Sequence, residues 1–152
     1  MIYIIYAILT IISTIIHILI EKTPFAETLL LYTLVICVGV SGILGFYFHA
    51  FKADWTAKYI GWATGNPFQF EIAVANLGTG ICGILCIWFH DGFWLATIIA
   101  YSVFSLGAAY GHIVETKKAK NYAPGNAGPV LYYDIIVPIV LICLFITSYI
   151  IK

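Results

Sequence analysis

Five runs of roughly twenty apolar residues, separated by short polar segments, limit this chain to one kind of fold. They cover residues 2–20, 28–51, 67–89, 93–114 and 129–151. Each is long enough to cross a hydrocarbon core about 30 Å thick as a helix. Backbone N–H and C=O groups find no water there, so each run is predicted to pair them internally as an α-helix. The strict alternation of a barrel strand is absent. Of the 152 residues, 62% are hydrophobic and 9% charged, against about 25% charged in soluble domains. So short a chain cannot hide that much apolar surface in one core. The reading is an all-α integral membrane bundle of five spans, one transmembrane helical domain over residues 1–152. The first run has no basic segment before it and is followed by Glu21-Lys22 where a signal peptide would carry small residues, so it reads as a retained span.

All seven basic residues are Lys. With five spans, Lys52, Lys58, Lys117, Lys118 and Lys120 share the side of the N-terminus, and Lys22 and Lys152 take the other. The positive-inside rule then puts the N-terminus in the cytoplasm of a cell whose plasma membrane holds the protein. The absence of Arg and of any basic patch argues against nucleic acid as a partner. Cys37, Cys82, Cys86 and Cys143 form no CxxC pair, so neither a disulfide framework nor a zinc knuckle is indicated. Cys82 and Cys86 can share a helix face, as packing residues or as a soft-metal pair.

The second loop, residues 51–66, is amphipathic, with Phe51, Trp55, Tyr59 and Trp62 at helical spacing. It is predicted to lie in the cytoplasmic interface as a short helix. Asn66-Pro67-Phe68-Gln69 resembles a capping box at the start of the third span. Gly39, Gly42 and Gly45, then Gly78, Gly80 and Gly83, then Gly107 and Gly111 are small residues that let helices approach closely. The GxGxxG string at Gly78–Gly83 sits inside a span without a preceding strand, which excludes a dinucleotide loop.

Polar groups carried into the membrane are the functional candidates. His49 closes the second span; Gln69 and Glu71 open the third; His112 and Glu115 end the fourth; Asn126 precedes the fifth and Asp134 lies inside it. All seven belong to one predicted side. Two imidazoles and two carboxylates are ligands of the kind a transition metal (zinc, iron or manganese) takes, so His49, Glu71, His112 and Glu115 are the candidate metal set. His112 and Glu115 are three apart and share a helix face. Gln69, Asn76, Asn126 and Asp134 are the candidate ligand-binding set. At 100° per residue Gln69, Asn76, Gly80 and Gly83 form one stripe, with Glu71 nearly opposite. Asn76 lies about 15 Å deep and reads as interhelical glue. Pro138 leaves the Asp134 carbonyl without its helical partner, which suits a cation or proton site or a kink satisfied by a hydroxyl such as Tyr133. On the opposite side, His90-Asp91-Gly92 reads as a tight turn and His17 as an interfacial residue.

Gly45-Phe46 with His49, Ile60-Gly61-Trp62, Pro67-Phe68-Gln69 with Glu71, Ala75-Asn76-Leu77-Gly78, Gly111-His112-Ile113 and Pro124-Gly125-Asn126-Ala127-Gly128 together resemble a family of small prokaryotic multi-pass membrane proteins of unknown function. The resemblance covers about residues 45–134, leaves out the first span and implies no activity.

Three functions fit these residues. The first is a cytoplasmic-side pocket for a metal ion or small ligand, with catalysis open. The second is a small oligomeric proton- or cation-coupled transporter or channel using Asp134, Asn76 and Glu71. The third is an accessory subunit of a larger membrane complex, in which the polar residues only hold helices together. The expected partners are the lipid bilayer and either further copies of the chain or other subunits.

Overall fold

Only a helix pairs every backbone group within its own segment, and each apolar run adopts one. The structure is a computed structural model that describes residues 2–150. Ile151, the last residue of the expected fifth span, and Lys152, one of the two lysines set against the other five, lie outside the described residues. Helix α1 is Ile2–Glu21 and α2 is Phe25–Phe51. The short α3 is Ala53–Ile60, followed by α4, Phe68–Leu85; α5, Gly92–Lys118; and α6, Pro129–Ile150. All but α3 are long and apolar enough to cross a membrane, and no strand occurs among the described residues.

Two boundaries differ from expectation. α4 stops at Leu85, four residues early, because residues 86–89 already turn toward the next helix. α5 continues past Val114 to Lys118, since at 27 residues and 1.5 Å per residue it outruns a core about 30 Å thick and carries its lysines beyond it.

α2 is the central element and touches α1, α4, α5 and α6. Its middle, Thr33–Val40, winds as a π-helix, and Leu34, Ile36, Cys37, Val38 and Gly39 in it are buried. The Cys37 carbonyl there accepts hydrogen bonds from Ser41 Oγ and, at 2.7 Å, from the Tyr133 hydroxyl of α6. Tyr133 is therefore engaged with α2 and does not satisfy the carbonyl freed by Pro138; Ser105 Oγ of α5 donates to that Asp134 carbonyl at 3.2 Å.

Against α2 lies α4, joined backbone to backbone. A Cβ on Gly83 would fall 2.5 Å from the Gly39 nitrogen, and one on Gly42 would fall 2.7 Å from the Asn76 carbonyl oxygen. Gly39, Gly42, Gly80 and Gly83 thus do what the small-residue stripes predict. Gly78, Gly107 and Gly111 do not, for a Cβ on any of them would meet nothing within 4 Å. The start of α4 is also simpler than a full capping box. Asn66 Oδ1 accepts from the Phe68 N–H at 2.9 Å, while the Gln69 side chain turns away to His49.

The amphipathic second loop forms α3 as expected. Trp55 and Tyr59 stack on each other at 5.4 Å and are exposed, whereas Thr56, Ala57 and Ile60 are buried against the bundle. Gly61 ends α3 at φ +84, a left-handed cap that glycine adopts without strain. Asn121 Nδ2 donates to the Ile60 carbonyl at 3.0 Å and the Gly125 N–H donates to the Tyr59 carbonyl at 3.0 Å. The second and fourth loops are thereby tied together at one end, with Lys52, Lys58, Lys117, Lys118 and Lys120.

Candidate functional site

At that lysine-rich end a cavity of about 790 Å³ opens between the helices. α4 and α5 are joined at the opposite end, where Trp94 Nε1 donates to the Cys86 carbonyl at 2.9 Å and Cys86 Sγ contacts Thr97 Oγ1 at 3.8 Å. At the lysine-rich end the cavity lies between them, with Ile72, Asn76 and Thr79 on one wall and Phe104, Ala108 and His112 on the other. Trp55, Tyr59 and Trp62, from α3 and the segment after it, also border it.

His112 is the best-anchored group in this cavity. Asn126, fully buried, donates through Nδ2 toward the His112 carbonyl at 3.2 Å and the Asn121 carbonyl at 2.8 Å, with Thr116 Oγ1 at 2.9 Å. Carbonyls can only accept, so the amide nitrogen must face them. Asn126 Oδ1 then points at His112 Nδ1, 2.8 Å away, and accepts a hydrogen bond from its N–H. A neutral His112 therefore carries its proton on Nδ1 and presents the Nε2 lone pair. That Nε2 lies 3.8 Å from Asp134 Oδ2. The other oxygen, Oδ1, accepts from Ser105 Oγ at 3.1 Å.

His49 is held in a parallel way. Its Nδ1 donates to Gln69 Oε1 at 2.5 Å, and its ring lines the same cavity. The Gln69 Nε2 is buried without a hydrogen-bond partner among the described residues.

The eight expected site residues fall into three groups. His49, His112, Asn76 and Asp134 line the cavity. Gln69 and Asn126 are buried behind the histidines and orient them. Glu71 is exposed on the far face of α4, opposite Gln69 and Ala73 as the helical stripe predicts, and neither Glu71 nor Glu115 is among the cavity-lining residues. The carboxylate facing His112 is Asp134 of a neighbouring helix, in place of Glu115 three residues along. Among the described residues no three His, Cys, Asp or Glu side chains gather as a metal centre would require. The transport path expected through Asp134, Asn76 and Glu71 has two of its members on the cavity and the third outside it. Asn76 is also not interhelical glue in the hydrogen-bonding sense. Its Nδ2 donates to Ile72 of its own helix at 2.9 Å, and its Oδ1 packs where a Cβ on Gly45 would fall, 2.8 Å away.

Sequence reasoning missed Ser105, Thr116 and Asn121. Thr116 stands one turn after His112, which is a signal a helical reading can use. Ser105 offers none, because its partner is 29 positions away, and Asn121 joins through its backbone carbonyl, which residue type does not reveal. At the opposite end, His17 bonds the Tyr32 hydroxyl at 3.1 Å and His90 reaches the Ile87 carbonyl, so the two histidines have separate partners.

A family model described as a family of unknown function, DUF6790, matches residues 1–151. The match includes the first span, so the family extends well beyond the stretch of residues 45–134 that carries the motifs. Neither a curated protein nor a solved structure matches the chain.

Proposed function

Because the chain belongs to the DUF6790 family, whose function is unknown, we propose from its site alone that it binds a small amphipathic molecule inside the membrane. The binding end is the lysine-rich one, which the positive-inside rule assigns to the cytoplasmic face of a plasma membrane. One observation carries the reading: two histidines, each oriented by a buried amide, converge with one carboxylate on a cavity of about 790 Å³. That volume lies within the range of about 300–1,000 Å³ in which small-molecule sites fall. Its walls are mostly apolar and aromatic, with a few fixed polar groups, which is the composition of a pocket that binds by shape and orients by hydrogen bonds. A ligand of this kind is favoured over a metal, since among the described residues a metal would have the His112–Asp134 pair and no third His, Cys, Asp or Glu beside it.

The test uses the open side of α5. Nothing lies within 4 Å of a Cβ placed on Gly107, yet Gly107 lines the cavity. Gly107→Phe should fill the space without disturbing helix packing. The wild-type chain, extracted in mild detergent and analysed by native mass spectrometry, is expected to retain a small molecule that Gly107→Phe loses. Equal retention by both chains, or none by either, would overturn the proposal.

A further inference from the structure

We infer that the ligand of this pocket is a cationic amphiphile, an alkyl or aryl amine whose ammonium group bridges His112 Nε2 and Asp134 Oδ2 from the cavity side. The inference rests on the pocket proposed above and names its ligand class.

The two atoms face each other at 3.8 Å, beyond the 2.7–3.2 Å of a hydrogen bond. In the neutral histidine both are acceptors, because Asn126 holds the ring proton on Nδ1. Two acceptors turned toward one another are complementary to a group with two donors, which a primary ammonium supplies and a hydroxyl does not. Charge selects the same group. Asp134 lies about 8 Å inside its helix by the helical rise, its side chain only 17% exposed. A carboxylate at that depth is costly unless a cation meets it. Ser105 donates to it from a neutral hydroxyl, and among the described residues its ion-pair partner is His112, with no Lys paired to it. The walls add to this preference. Trp62 lies face-on to the His112 ring, with centroids 6.4 Å apart, and Tyr3 and Tyr101 line the cavity with Asp134. Aromatic faces attract an ammonium and an alkyl tail together. The opening past Gly107 and the exposed Val103 gives the tail a route to the apolar surface of the bundle.

The experiment compares octylamine, octanol and octanoate, which share one tail and differ in the head. The full chain is reconstituted in phosphatidylcholine nanodiscs, and saturable binding is read as the shift in melting temperature with concentration, against Asp134→Asn. Octylamine is expected to bind at least tenfold more tightly than octanol, octanoate not to bind, and the preference to vanish in Asp134→Asn. A ¹⁵N-histidine spectrum in which octylamine moves the His112 Nε2 resonance more than its Nδ1 resonance would locate the head. Preferred binding of octanol or octanoate would overturn the cationic class and leave the pocket standing. Saturable binding by none of the three would overturn both readings. If Asp134→Asn fails to fold, the order of the three probes on the wild-type chain decides the matter alone.

Discussion

The contact between α2 and α4 and the gap between α4 and α5 are built from the same residue type to opposite ends. At the first, Gly39, Gly42, Gly80 and Gly83 bring two backbones together until no Cβ fits. At the second, Gly107 and Gly111 have nothing within 4 Å of the Cβ they lack, and both line the cavity. A glycine in a span therefore has two uses. It can remove a side chain so that helices touch, or it can remove one so that a ligand has room. Composition does not separate the two, because both need only the missing Cβ. What separates them is the neighbour across the interface.

The sharpest way to break this comparison is Gly83→Val. Its branched side chain would press on the Gly39 backbone, which cannot move aside as a side chain tip could. Unfolding in mixed micelles is expected to show a loss of about 3 kcal/mol; a loss under a tenth of that would mean the two helices are not in backbone contact. Asn126→Leu comes next. It leaves the His112 Nδ1–H without its partner and takes the shorter of two hydrogen bonds from the Asn121 carbonyl, for an expected cost of about 2 kcal/mol in the same assay. It should also weaken octylamine binding, because His112 is then free to change its tautomer. Ser105→Ala removes the hydroxyl from Asp134 and from the carbonyl that Pro138 frees, and about 1 kcal/mol should be lost. Smallest of all is Gly107→Ala. Here the expected change is a gain of about 0.5–1 kcal/mol from helix propensity, and any clear destabilisation would show that this side of α5 is not open.

Some of the site can be read directly from residue order. Gln69 and Asn76 belong to one face of α4 and Glu71 to the other because helical rotation is a local property. Asn66 caps α4 and Gly61 ends α3 for equally local reasons. The partners of His112 are divided. Thr116, one turn away, and Asn126, in the loop that follows, are close in the chain. Asp134, the carboxylate opposite the His112 ring, is on another helix, while Glu115 is nearer in the chain. Spacing along one helix identifies which groups can share a face, and says nothing of which neighbouring helix presents its own group to that face.

The five spans, their helical state and the gathering of lysines at one end follow from the sequence alone. Long apolar runs have no other stable form in lipid, and a chain crossing an odd number of times assigns its loops to sides by counting. Tertiary structure alone decided that His49, His112 and Asp134 face one cavity while Glu71 and Glu115 do not. The reason is physical. Which way each helix turns about its own axis depends on how α2 and α4 interlock through their glycines, and on how the π-helical turns of Thr33–Val40 direct the Cys37 carbonyl to Tyr133. Those contacts join residues far apart in the chain, so their outcome exists only once the helices have packed.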